Sequence, residues 1–337
     1  MGAPRSSAAT GMNSSAQTPE ALSPSTASAA TLTVNTLDVF NYHLLENRLT
    51  AWKPNYLVIA SDHGETRLQY LLSIKYKLFD LPRPFWNRAW SYQPDGIYAA
   101  YNGLYDFYWY SRPSSPVISR IQNPGGFIHL IPRPRERILH MDFLNAGWFH
   151  ESNGQTTTNE QQYLRLYAQE GQNVQDTVHR GWDYLYLGSG MSFLPFDHPE
   201  VGDPATLTRA HQLFTVFPSL RLYDGRQGFS GASENVFWKP VGFQPHIYDY
   251  DGIRASFNWT MIFPDTTILH VNMLALGADL RTGYNTGYFA SNWSKTVRLT
   301  VKMGYIPVYV FYFNGYGPYI SDYSTWSQGW GMGLRIW

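Results

Sequence analysis

The chain has 337 residues, a formal net charge of zero, 15% charged residues, 17% aromatics and no cysteine. That balance lacks the basic footprint of a nucleic-acid binder, and without cysteine neither disulfides nor thiolate metal sites form. No window approaches the roughly 18 to 20 consecutive apolar residues of a membrane helix, whereas a spanning β-strand needs only about 9 to 11 with one apolar face.

In chain order, residues 1–31 are rich in Ala, Ser, Thr and Gly, without an apolar segment or periodicity, and read as a disordered leader with no secretory signal. Residues 32–337 read as one domain organised by alternation. In "TRLQYLLSIKYKLF" the side chains of Leu68, Tyr70, Leu72, Ile74, Tyr76 and Leu78 share one face, opposite Arg67, Gln69, Ser73, Lys75 and Lys77. Further strands are expected at Ile97–Tyr110, Leu139–Asn153, Gln162–Gln169, Trp182–Gly188, Ile253–Phe263, Ile268–Gly277, Thr296–Tyr305, Val308–Phe313 and Trp326–Trp337. Aromatics gather near strand ends: Trp86 and Trp90, Tyr105 to Tyr110, Trp182 to Tyr186, Trp326 and Trp330. Long alternating strands with aromatic ends suit a lipid-facing band with interfacial girdles, so the expected class is an all-β transmembrane antiparallel barrel. A large soluble β-sandwich or lipocalin-like barrel is the rival. Residues 195–245, rich in Gly, Pro and Asp, read as a long insertion or loop, whose middle, "HQLFTVFPSLRLY", adds a short strand or helix.

One stretch, "GWFHESNGQTTTNEQQYLRLY", places His150 and Ser152 two residues apart. On a strand they project side by side, about 6 to 7 Å apart at Cα, with Phe149 and Glu151 on the other face. A serine hydroxyl is a weak nucleophile until a base takes its proton, and imidazole is the usual base at neutral pH. Ala146 and Trp148 share the face of the pair, which therefore points to the apolar, lipid side, where the substrate is a phospholipid. Asn153-Gly154 opens a turn, from which Gln162–Gln169 returns antiparallel with a third group to orient the imidazole. The bland reading is an accidental His-x-Ser at a polar strand end.

These residues resemble the active-site hairpin of the outer membrane phospholipase A family: "HESNG" at His150–Gly154, then "RLY" at Arg165–Tyr167. Other pieces fall in family order: "KPNYL" at Lys53–Leu57, "SSP" at Ser114–Pro116, "RIQN" at Arg120–Asn123, "NTGY" at Asn285–Tyr288, "KTVRL" at Lys295–Leu299, "GYG" at Gly315–Gly317, and Asp322-Tyr323. The resemblance implies a multi-pass outer-membrane barrel of about twelve strands that hydrolyses phospholipid acyl esters with Ca2+ and forms a homodimer. It implies Ser152 as nucleophile, His150 as general base, and the backbone N–H of Gly154 as oxyanion donor. For calcium it implies the backbone carbonyl of Gln155, Glu160 at the family's hydroxyl position, and Ser114 or Ser115 from the partner subunit. Two departures stand out. The family's orienting Asn falls at Leu164, which cannot accept an imidazole N–H; Gln162 or Asn159 is the expected substitute. The family's dimer-face Gln is not found in "DFYWYSRP", Asp106–Pro113. The alternative is a family-like barrel without chemistry, structural or lipid-binding.

Overall fold

The computed structural model describes residues 48–62, 64–81, 92–108, 120–132, 139–155, 157, 160–170, 177–193, 210–224, 247–264, 270–285, 287, 289–317 and 324–336. The expected leader, Trp86, Trp90, Ser114, Ser115 and Asn159 lie outside the described residues. The described strands are β1 (Leu49–Ala51), β2 (Asn55–Asp62), β3 (Glu65–Asp80), β4 (Tyr92–Tyr108), β5 (Arg120–Pro132), β6 (Leu139–Ser152), β7 (Gly181–Phe193), β8 (His211–Tyr223), β9 (Gly252–Ile262), β10 (Val271–Gly283), β11 (Ser294–Met303), β12 (Ile306–Tyr316) and β13 (Trp326–Ile336).

Each strand from β2 to β13 pairs antiparallel with its neighbours in sequence, and β13 pairs back onto β2. The sheet thus closes into a barrel of twelve strands with no free edge. The short β1 pairs with Ile74–Tyr76 of β3, beyond the stretch that β2 occupies, so β1 and β2 are one staggered wall strand broken at Trp52–Pro54.

Alternation decides which side faces lipid. Outward positions carry Leu57, Ile59, Leu72, Phe107, Ile128, Trp148, Leu185, Leu187, Phe257, Leu276, Val297 and Met332, all exposed. Inward positions carry ion pairs: Arg67 with Asp62 and Asp106, Arg254 with Asp251, and Arg298 with Asp279. A soluble ligand-binding barrel needs the reverse, an apolar inside and a polar outside. Apolar out and charged in is the transmembrane arrangement, so the soluble rival is set aside. The interior also holds a cavity of about 430 Å³ lined by Lys53, Tyr56, Arg254, Arg281, Arg298 and Arg335 among others.

Three features differ from expectation. The stretch Gln162–Gln169 belongs to a helix, α1 (Glu160–Glu170), rather than a return strand. Tyr163, Leu166 and Tyr167, spaced i, i+3, i+4, pack with Val178, while Leu164 is 48% exposed. Second, residues 211–223 of the expected insertion are barrel strand β8, with Phe214 and Leu222 outward and Leu213, Thr215 and Tyr223 inward. Its ladder to β7 skips from Gly188↔Ser219 to Met191↔Val216, leaving out Pro218, which has no N–H to give, and this obscures the strand in the sequence. Third, Trp182 and Tyr184 point into the barrel, where they join Trp52, Phe127 and Phe149, whereas Trp326 and Trp330 are exposed outside as girdle residues.

Candidate active site

The site sits where β6 ends and β7 begins, at the end of the barrel where β4 and β8 also end and β5 and β9 begin. Strand β6 is anchored from inside. Phe149 is fully buried, stacked on Trp52 at 4.9 Å between ring centroids and packed on Tyr184 at 5.8 Å. A Cβ at Gly125 on the neighbouring β5 would overlap the Phe149 ring and the Trp148 carbonyl, so glycine there makes room for the stack. Glu151 also turns inward and accepts from Arg221 of β8 at 2.6 Å, and that guanidinium lies 4.4 Å above the Tyr184 ring. Asn123 of β5 donates to the His150 carbonyl at 3.1 Å. With Phe149 and Glu151 fixed inward, the pleat sends His150 and Ser152 outward beside Trp148.

Directly across from His150 in the β6–β7 register stands Asp183. Its Oδ1 lies 2.9 Å from His150 Nδ1; the Asp183 side chain is 6% exposed and that of His150 29%. An ionised carboxylate only accepts, so Nδ1 carries the donated proton and the lone pair falls on Nε2, the nitrogen needed for a serine hydroxyl. Asp183 shares its face with Leu185 and Leu187 of the lipid band, an acid on an apolar stripe.

Beyond Ser152 the chain is tied down by the segment before β7. Asn153 donates from its backbone to the Arg180 carbonyl at 3.0 Å and from Nδ2 to the Val178 carbonyl at 2.8 Å, while its Oδ1 accepts from the Arg180 N–H at 2.9 Å. Gly154 follows with φ of +58°, a left-handed conformation that favours glycine. Arg120, the first residue of β5, donates from Nε to the Asn153 carbonyl at 2.7 Å and from a terminal nitrogen to the Gly154 carbonyl.

The expected residues therefore divide. His150, Ser152 and Gly154 come together. Gln155 is buried next to them, Gln162 lies on α1, and Glu160 opens α1. The His150 Nδ1 hydrogen bond goes to Asp183, a residue not among those expected. Asp183 was readable: within "GWDYLYLG" it is the one acid at an otherwise apolar parity, and such a residue on a lipid-facing strand needs a partner.

The fold defines the class first: a closed, twelve-stranded, antiparallel barrel of the transmembrane type. Among solved structures it is similar to outer membrane phospholipase A from Escherichia coli, with a TM-score of 0.54 and 15% identity, covering 88% of this chain and 94% of that one. It is likewise similar to the Salmonella typhi outer membrane phospholipase dimer with bound calcium, with a TM-score of 0.53, 16% identity, and 86% and 92% coverage. An active-site asparagine-to-alanine mutant of the Escherichia coli protein gives a TM-score of 0.53 at 15% identity, with 85% and 90% coverage. No family model and no curated protein matches the sequence. At these identities the likeness is one of fold.

Proposed function

We propose that the protein is a phospholipase of the outer membrane that hydrolyses acyl esters of phospholipids by a Ser152–His150–Asp183 mechanism. The observation that carries the reading is the outward-facing row of these three side chains at the rim of the apolar band, where a lipid ester can reach them. The fold shared with outer membrane phospholipase A supports it.

In this mechanism Ser152 Oγ attacks the ester carbonyl carbon while its proton passes to His150 Nε2. Asp183 holds the imidazole by Nδ1–H and stabilises the imidazolium that forms. The negative oxygen of the tetrahedral intermediate is received by the Gly154 N–H. Collapse expels the lyso-lipid alkoxide, which takes the proton from His150. Water then attacks the acyl-Ser152 ester by the same route and restores the serine. Trp148, Leu185 and Leu187 border the row and provide the apolar surface along which acyl chains lie.

Calcium is implied by the resemblance and bound in one solved relative; in this chain the Gln155 carbonyl and Glu160 would be the groups to hold it, where it would polarise the ester oxygen. The Arg120 guanidinium already holds the two carbonyls that precede Gln155. Among the described residues, no group of three or more His, Asp or Glu stands close enough to hold a metal ion. The homodimer stays a proposal carried by the resemblance and by the dimeric relative.

The test is acyl release from phospholipid–detergent micelles by the refolded chain. Hydrolysis by the wild type that disappears in Ser152→Ala supports the reading; equal rates for the two proteins refute it.

A further inference from the structure

The barrel interior gathers more positive charge than its carboxylates answer. Among the described residues lining the cavity of about 430 Å³ are seven Lys or Arg but only two carboxylates, Asp62 and Asp279. Counting the ion-pair partners as well, with Arg221, Asp106, Glu151 and Asp251, leaves eight cations against five carboxylates. Charge taken out of water is costly unless a counter-ion joins it. The excess collects at one place. On the inward face Ser219 of β8, Arg254 of β9, Arg281 of β10 and Ser294 of β11 form a row, each opposite the next in register. Arg254 and Arg281 are therefore like charges directly across a ladder, an arrangement that repels. Asp251 answers only the first. Its Oδ1 accepts from the Gly252 N–H at 2.8 Å and from Arg254 Nε at 2.6 Å, and its Oδ2 from the Tyr223 hydroxyl at 2.6 Å and a terminal nitrogen of Arg254. About four such positions fill a carboxylate. Arg281 donates from one terminal nitrogen to the Tyr316 and Gly317 carbonyls; among the described residues it joins no ion pair, and its other nitrogens make no hydrogen bond. Lys53, whose Nζ lies 4.9 Å above the Trp52 ring, likewise joins no ion pair among the described residues, and it feels Arg254 as a like charge.

We propose that the barrel interior binds a phosphate group, free or as a small monoester, between Lys53, Arg254 and Arg281, with the Ser219 hydroxyl donating to the same anion. A phosphate monoester carries about −1.5 to −2 at neutral pH, which offsets most of the excess charge. Its oxygens accept from guanidinium forks and from an ammonium at once, whereas a halide would leave most of these donors unmet. The cavity leaves space beside the phosphate for a small substituent. The site lies inside the wall, while His150 and Ser152 face outward, so the proposal does not rest on the phospholipase reading.

The experiment is isothermal titration calorimetry of the full chain, refolded in detergent, at an ionic strength held constant with chloride. The probes are inorganic phosphate and, separately, glycerol phosphate. The proteins are wild type, Arg281→Met, Lys53→Met and, as a control on the exposed face of α1, Arg165→Met. Wild type is expected to show one saturable site with a Kd of about 1 mM or below. Arg281→Met and Lys53→Met are expected to weaken it about 10- to 100-fold, and Arg165→Met to stay within about twofold of wild type. Tighter binding of glycerol phosphate assigns a monoester as occupant and tighter binding of inorganic phosphate assigns the free ion; either supports the site. No saturable binding of either probe up to about 50 mM overturns the proposal. Equal affinity in wild type and the two interior variants, or an equal loss in Arg165→Met, overturns it as well. Should Arg281→Met fail to form the barrel by circular dichroism, Lys53→Met decides.

Discussion

Replacing Asp183 by alanine should slow acyl-ester hydrolysis by about 10- to 150-fold while leaving the barrel folded. The interaction removed is a single hydrogen bond of 2.9 Å between a carboxylate that is 6% exposed and the imidazole of His150. Hydrogen bonds to charged groups contribute about 1.5 to 3 kcal/mol, and about 1.4 kcal/mol corresponds to a factor of ten in rate. Without its partner the imidazole loses its fixed tautomer and ring orientation, so the loss appears in kcat. Asp183→Asn retains an oxygen acceptor and should fall by less than about tenfold. Gln162→Ala, on helix α1, should match the wild type. The assay is steady-state fatty-acid release from phospholipid–detergent micelles, with each variant checked for barrel formation by far-ultraviolet circular dichroism. A kcat for Asp183→Ala equal to wild type, or an equal loss in Gln162→Ala, would refute the assignment of the third group.

Other consequences follow from the wall of the barrel. Arg221→Met leaves the half-buried Glu151 without its guanidinium and should cost about 1 to 3 kcal/mol in urea unfolding of the folded barrel, since a charge largely out of water loses its partner. Gly125→Ala pushes a methyl group into the Phe149 ring and should destabilise by about 1 to 3 kcal/mol; unchanged stability would show that β5 can shift away. Leu187→Arg puts a charge on the exposed apolar face of β7 and should lower stability in bilayers by about 2 to 4 kcal/mol if the position lies near the midplane. No change in bilayers would place Leu187 outside the lipid band.

Much of the wall was legible because period 2 with one apolar face leaves its mark on every long strand. That pattern placed β3, β4, β6, β7 and β9 to β13 at nearly their observed positions. Strand β5, which was not expected, and β8, expected only as a short strand or helix within an insertion, carry residues that weaken the pattern for packing reasons. In β5, Pro124, Gly125 and Gly126 replace large side chains because Phe149 and its neighbours need the space. In β8, Pro218 interrupts one ladder. The His150–Ser152 pair was legible for the same reason as the strands, since parity alone places both outward. Asp183 is marked in the sequence only as an acid at an otherwise apolar parity, with nothing to say which residue it meets, whereas "RLY" at Arg165–Tyr167 lies on a segment that is helical. The partner of His150 arrives from the far side of that segment, 33 residues along the chain. Closeness in a barrel is set by register across strands rather than by separation in sequence, and the pairing His150↔Asp183 supplies that closeness.

The measurement closest to the central claim is mass spectrometry of the folded barrel after reaction with a fluorophosphonate, which captures an activated serine as a stable phosphonyl ester. The account predicts one adduct, on Ser152, formed rapidly in wild type, slowly in Asp183→Ala and not at all in His150→Ala. An unlabelled Ser152 in the folded wild type, or labelling that does not depend on His150, would contradict it.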